Sequence, residues 1–297
     1  MPNPSLHGCA TALVTPFTAD GAIDEPALAA LVEWQIVEKI HGLVPVGSTG
    51  EAATMSLAER VRVVRITVER AAGRVPVIAG AGSNDTRAAI EVSKAMVEAG
   101  ASHLLHVSPM YSKPPQRGII AHFRAIADAS PRPIVLYNVP GRTASNMEAE
   151  TTLALADHPN ICAVKEASGN LSQISEIIRH RPAGFSVLSG DDGLALAVMM
   201  GGGEGVISVV SNAVPRAMSD LCRRAAEGNA GEARDAHITL HALFQAAFVE
   251  SNPIPIKAAL AMMGRIGNYL RLPLVTLDPR HAGVVRAGLV EAGALTA

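Results

Sequence analysis

Short apolar runs alternate with longer stretches of helical period from near the start of the chain to well past its middle. Ala10–Val14 ends at Thr15-Pro16, and an amphipathic segment follows from Glu25 to Glu38. Leu43–Val46 runs into Gly-Ser-Thr-Gly-Glu, and a helix is predicted from Ser56 to Ala72, opened by Ser56-x-x-Glu59 as a capping box. The same alternation gives a strand at Val75–Ala79 with a helix at Asp85–Ala99, then His103–Val107 with Gln116–Ala129. It continues through Ile134–Tyr137 and Glu148–Ala156, Ile161–Val164 and Leu171–His180, then Phe185–Leu188 and Gly193–Met200, to an eighth strand at Gly205–Ser208.

Each predicted strand is apolar on both faces, which indicates a parallel sheet covered by helices. Eight such units close into an α/β (β/α)8 TIM barrel. An open doubly wound sheet is the alternative. It would place Gly-x-Gly-x-x-Gly after the first strand, where this chain has Thr15-Pro16-Phe17. From Asn212 onward only helical signals remain, at Val214–Glu227, Ala230–Glu250, Ile256–Met263 and Arg280–Ala292. The expectation is a barrel over residues 1–228 and a C-terminal helical annex over 229–297.

Composition narrows the function classes. With 48% apolar but only 3% aromatic residues in 297, the core is large and aliphatic. A net charge of −2 gives no electrostatic reason to expect nucleic acid or an anionic membrane as partner. Met1–Ala10 has no charged-then-apolar leader, and no apolar run is long enough to span a bilayer. Three cysteines (Cys9, Cys162, Cys222) without a Cys-x-x-Cys pair suit a reduced, cytoplasmic protein.

In such barrels chemistry sits beyond the carboxyl ends of the strands. Of the five lysines, Lys39 and Lys94 fall on helices, Lys113 in a loop and Lys257 at the start of a late helix. Lys165 alone ends a strand. Buried there, its amine would lose its proton more readily and could attack a carbonyl to form a Schiff base. A bystander lysine, salt-bridged to Glu166, is the competing reading. Two of the three tyrosines, Tyr111 and Tyr137, also fall at or just beyond strand ends, where a phenol can move protons. Gly47-Ser48-Thr49-Gly50-Glu51 offers amides and hydroxyls to a small carboxylate. Arg142 could hold a second one in bidentate fashion. Asp191-Asp192 reads as an N-cap for the helix near Gly193. His103 and His106, three apart on a strand, face opposite ways, and no third ligand has suitable spacing, so a catalytic metal is not expected.

These motifs, in this order, resemble one family over essentially the full length: the dihydrodipicolinate synthase / N-acetylneuraminate lyase family of lysine-dependent class I aldolases. The carrying residues are Gly47-Ser-Thr-Gly-Glu51, Tyr137-Asn-Val-Pro-Gly-Arg-Thr143, Lys165-Glu-Ala-Ser-Gly-Asn170 and Ser189-Gly-Asp-Asp192. Arg142, Asn252-Pro-Ile-Pro-Ile-Lys257 and Leu270-Arg-Leu-Pro273 look like the synthase branch. The resemblance implies that Lys165 forms an imine with pyruvate, with no separate cofactor, while Ser48 and Thr49 hold its carboxylate. The derived enamine would attack L-aspartate 4-semialdehyde, giving 4-hydroxy-tetrahydrodipicolinate for lysine biosynthesis. Tyr137 would be the proton donor and acceptor, linked through Ser48 to a Tyr111 supplied by the adjacent subunit. A homo-oligomer is therefore implied, a tetramer built from dimers. Arg142 would hold the semialdehyde carboxylate, with Gly190 and the Ile207 carbonyl lining the pyruvate pocket.

Two departures from the family pattern matter. Ser48 stands where the synthases usually carry threonine. The positions matching the feedback site of lysine-regulated members read Ala52, Leu57, Arg60, Ala88 and Met110, with only Asn84 retained. Little or no inhibition by lysine is expected. Two further readings stand beside the synthase: a paralogous aldolase or dehydratase acting on another 2-oxo acid or aldehyde, and a non-catalytic 2-oxo-acid-binding barrel.

Overall fold

The computed structural model describes residues 6–296. Eight strands alternate with helices: β1 (Gly8–Ala12), α1 (Glu25–Val37), β2 (Gly42–Val44), α2 (Leu57–Ala71), β3 (Ile78–Gly80), α3 (Thr86–Glu98), β4 (His103–Val107) and α4 (Gln116–Ala129). There follow β5 (Ile134–Asn138), a single turn α5 (Pro140–Thr143), α6 (Ala149–Ala156), β6 (Ile161–Glu166), α7 (Leu171–His180), β7 (Ser186–Ser189), α8 (Ala195–Met200), β8 (Gly205–Ser208) and α9 (Pro215–Ala226). Three more helices, α10 (Ala230–Ala246), α11 (Ile254–Met262) and α12 (Ala282–Glu291), complete the chain.

All named strand pairs are parallel, in the order β2-β1-β8-β7-β6-β5-β4-β3. The remaining junction, β2 to β3, closes the barrel through one bridge, Leu43 to Val77. Leu43 N donates to Pro76 O at 3.0 Å and Gly80 N to Pro45 O at 3.0 Å. Both acceptors are prolines, which return no N–H, so the ladder there cannot extend. The expected TIM barrel is present. Its interior is filled by Ala10, Ala12, Val44, Ile78, Leu105 and Leu188 among others, and a second apolar layer separates strands from helices.

Some limits differ from expectation for identifiable reasons. β1 starts at Gly8 and ends at Ala12, two residues earlier than predicted. Gly8 pairs with Gly205, and a Cβ on Gly205 would lie 1.9 Å from the Gly8 carbonyl oxygen, so only glycine fits where strand propensity is poorest. Val75 and Pro76 lie outside β3, since Pro76 has no N–H to give the ladder. Helix α9 packs against β1 and is the barrel's own eighth helix. The capping box holds: Ser56 N donates to Glu59 Oε2 at 2.8 Å and Glu59 N to Ser56 Oγ at 3.3 Å. Among the described residues, no helix is long and apolar enough to cross a membrane.

Two β4 histidines should make the fold acid-sensitive. They face opposite ways, His103 into a cavity at the amino-terminal end of the barrel and His106 outward toward Ser93. Burial pulls His106 down to about 3, and burial with the Arg132 charge pulls His103 down to about 4. The unfolded chain, with ordinary imidazoles, therefore binds more protons below about pH 6.5. Stability is full above that pH and falls as pH drops toward the folded values, by up to ~1.4 kcal/mol per pH unit for each histidine. Thermal melts from pH 7 to 4.5 should show this slope, and His106→Gln should flatten it.

Candidate active site

Strand register brings Tyr137 and Lys165 together. Tyr137 on β5 is opposite Lys165 on β6, and Asn138 is opposite Glu166. Because side chains alternate along a strand, Tyr137 and Lys165 point into the barrel mouth while Asn138 and Glu166 point away. Glu166 is held on its own side. Asn138 Nδ2 donates to both its oxygens at 3.1 Å, Ser168 N at 2.8 Å and Gln173 Nε2 at 3.1 Å. The bystander reading, a Lys165–Glu166 salt bridge, is thereby excluded.

Lys165 is 5% exposed, and its Nζ lies 4.3 Å from the centroid of the Tyr137 ring. Burial lowers its pKa to about 8, against the attraction of Asp192 and with a smaller push from the Arg142 charge. A substantial neutral fraction is present near neutral pH, which an amine nucleophile needs. Burial raises the Tyr137 phenol to about 12, opposed by Arg142, so this group carries its proton at rest. Gly190 makes room for the lysine: a Cβ there would lie 3.1 Å from both Cγ and Cε of Lys165 and 2.6 Å from the Ala167 Cβ.

The Gly47–Gly50 turn enters from the neighbouring wall. Val46 and Glu51, which flank it, have φ of 51° and 57°, a left-handed region costly for side chains and above all for a β-branched one. Close approach enforces the turn at its base, where a Cβ on Gly80 would sit 2.2 Å from the Val46 oxygen. Thr15 Oγ1 donates to Gly50 O at 2.8 Å. At its far end Glu51 accepts from Lys257 Nζ at 2.6 Å and from Arg271 N at 3.1 Å. Thr49 Oγ1 accepts from Asn252 Nδ2 at 2.9 Å.

Together Ser48, Thr49, Tyr137, Arg142, Lys165 and Gly190 line one cavity of about 160 Å³. Arg142, on α5, reaches across to donate to the Asn252 carbonyl at 3.1 Å. Phe248, half exposed, also lines it. Two predicted residues are not among those lining this cavity. Ile207 is fully buried in the barrel interior, and Val209, two residues further along, carries the cavity wall at β8. Tyr111 sits on the loop after β4, 91% exposed with φ 70°, and does not line the cavity of its own chain. The acidic pair divides. Asp191 caps the turn at Gly193 N (2.9 Å), as expected, whereas Asp192 is buried and accepts from Val209 N at 2.9 Å and Val210 N at 3.1 Å. That clamps the end of β8.

A larger cavity of about 640 Å³ lies on the outer surface where α1, α9 and α10 meet, but no lysine or tyrosine lines it. Sequence reasoning missed Asn252, Glu51 and Lys257 as parts of the site. All three lay inside noted motifs, and only the fold shows that those motifs touch.

Comparison with known proteins agrees with this geometry. The model of the dihydrodipicolinate synthetase family matches residues 5–292. A 4-hydroxy-tetrahydrodipicolinate synthase of Nitratidesulfovibrio vulgaris is 51% identical over 97% of this chain and 99% of its own. The chloride-inhibited dihydrodipicolinate synthase of Acinetobacter baumannii, solved with pyruvate, superposes with a TM-score of 0.96 at 40% identity, covering 98% of this chain and 100% of that one. The enzyme of Cyanidioschyzon merolae, solved with lysine bound, gives 0.95 at 42% identity over 98% of this chain and 99% of that one. With its barrel, its lysine at the end of β6 and these relatives, the chain belongs to the dihydrodipicolinate synthetase family.

Proposed function

We propose that the protein condenses pyruvate with L-aspartate 4-semialdehyde to 4-hydroxy-tetrahydrodipicolinate, a step of lysine biosynthesis. The observation that carries this reading is the buried Lys165 amine, lowered to about 8 and facing Tyr137, in a cavity lined also by the Ser48–Thr49 turn and by Arg142. The neutral amine attacks C2 of pyruvate, whose carboxylate rests on Ser48 and Thr49. Tyr137 gives its proton to the carbinolamine oxygen, water leaves, and the protonated imine remains. The Tyr137 phenolate takes a proton from the methyl group, which makes the enamine and restores the phenol. The enamine carbon attacks the aldehyde of the second substrate, whose oxygen takes a proton from Tyr137, while Arg142 holds the carboxylate. The amino group of the adduct then displaces Lys165 at C2, closing the ring and freeing the enzyme. A pyridoxal group or a metal has no part in these steps, since the lysine itself forms the covalent link.

Tyr111 is assigned to the site of a neighbouring copy, which its exposure supports. The working form is a homo-oligomer, a tetramer built from dimers, and the cytoplasm suits its three free thiols. Insensitivity to lysine follows from the residues at the corresponding site. Ala88 offers no carboxylate, Arg60 repels an ammonium group, and the one retained amide is engaged, since Asn84 Oδ1 accepts from Met110 N at 3.1 Å. Ser48 favours a second reading, an aldolase acting on another aldehyde. Borohydride reduction with pyruvate should add one reduced pyruvyl group at Lys165, and an aldehyde panel should place aspartate semialdehyde first. A preference of about tenfold for another aldehyde, ~1.4 kcal/mol in the transition state, would transfer the assignment to that second reading.

A further inference from the structure

The annex meets the site at Asn252, between α10 and α11. This residue lines the cavity with only 5% of its surface exposed. Its side-chain Nδ2 donates to Thr49 Oγ1 at 2.9 Å in a buried bond. Its main-chain carbonyl accepts from Arg142 Nη2 at 3.1 Å. One residue thus touches both groups assigned above to carboxylates, by different atoms. Its third polar atom, Oδ1, is buried without a partner.

The unpaired oxygen is informative because leaving a buried acceptor unmet is costly. Turned over, the amide would present Oδ1 to the Thr49 hydroxyl and take its proton. In the observed orientation the amide donates instead. A threonine hydroxyl has one proton and two lone pairs, and no other hydrogen bond reaches this one among the described residues. With a lone pair engaged by Nδ2, its proton is left to point into the cavity. The unmet Oδ1 accompanies a threonine aimed as a donor.

We propose that Asn252 is a positioning residue that holds Thr49 as a hydrogen-bond donor to the pyruvate carboxylate and, through its own carbonyl, anchors Arg142 for the second substrate. The annex thereby sets the spacing of the two carboxylate positions. This rests on the pyruvate reading above. Asn252 touches no reacting atom. Its side chain serves pyruvate, and its main chain serves the acceptor.

The division predicts a split that general loosening would not give. Asn252→Ala removes the donor. Asn252→Asp, nearly the same shape, does worse, because a carboxylate only accepts: it captures the threonine proton and sets a negative charge beside the substrate's own. A residue that merely filled space would rank the two the other way. The measurement is the pyruvate concentration giving half-maximal borohydride trapping at Lys165, with the acceptor KM taken from turnover. Half-saturation should rise at least about tenfold in Asn252→Ala and further in Asn252→Asp, while acceptor KM stays within about twofold. On a Thr49→Val background, Asn252→Ala should add little, since both changes remove one interaction. An Asn252→Asp protein that binds pyruvate like the parent, or better than Asn252→Ala, overturns the proposal. So do additive effects with Thr49→Val, or a parallel rise in both substrates' KM. If Asn252→Ala does not fold, Asn252→Asp against the parent decides alone. A parent protein that traps no pyruvate overturns the pyruvate reading and this inference together, and is distinguished by needing no substitution.

Discussion

Replacing Lys165 by methionine should abolish borohydride trapping of pyruvate and lower kcat/KM by at least about 10³-fold, with the fold intact. The side chain is of similar length and still fills the space beside Gly190 and over Tyr137. No broken ion pair is left behind, because no carboxylate contacts this amine: Glu166 faces the other way, and Asp192, whose charge attracts the amine from a distance, is held by the Val209 and Val210 amides. Lys165→Arg is the companion variant, keeping a cation but no nucleophile, and should be as inactive. In the parent protein the rate of imine formation should climb about tenfold per pH unit below about 8 and level off above it, following the neutral amine. A profile that is flat between pH 6 and 9 would remove the lowered amine from the mechanism.

The largest effect on stability is expected at Lys257. Its amine is fully buried, 2.6 Å from Glu51 Oε1 and 4.4 Å from the centroid of the Phe17 ring. Burial lowers its pKa, and the Glu51 carboxylate holds the charge in place. Lys257→Met leaves Glu51 as a buried charge without its partner, a loss of about 3–5 kcal/mol. In a protein of this size that corresponds to a melting temperature lower by very roughly 6–20 °C. Changing both partners, Glu51→Leu with Lys257→Met, should recover most of the loss, because desolvation is then no longer demanded of either. Thermal melts of the two single variants and the double variant measure this. Equal losses in single and double variants would show that packing, not the ion pair, sets the cost. Pyruvate half-saturation should worsen in the single Lys257 variant, since Glu51 terminates the turn that carries Ser48 and Thr49.

The barrel was legible because its signal is local. Apolar runs, turn residues and capping boxes are read within a dozen residues, and eight alternations leave few architectures open. The buried position of Lys165 was legible for the same reason, since it is the only lysine closing such a run. What escaped depends on distance along the chain. Lys257 looks like an ordinary lysine opening a helix, and only its meeting with Glu51, 206 residues away, shows it buried. Asn252 reads as part of a proline-rich bend until its contact with Thr49 is seen, 203 residues distant. Asp192 resembled its neighbour, yet one aspartate caps a turn and the other holds β8. The early start of β1 was hidden by glycines, which are poor strand formers in general but the only residues that fit where two backbones nearly touch.

The proline-facing seam between β2 and β3 has a consequence for how the molecule breathes. Every other junction is a run of ladder bonds, and this one is a single bridge flanked by carbonyls that can only accept. Local opening follows the places where the fewest bonds must break, so fluctuations of the cylinder concentrate along this line. Its upper end is the turn bearing Ser48 and Thr49. The bonds from Asn252 and Lys257 cross to that turn from outside the barrel and act as a hasp over a hinge. Without those two bonds the turn bearing Ser48 and Thr49 would be the first part to come loose.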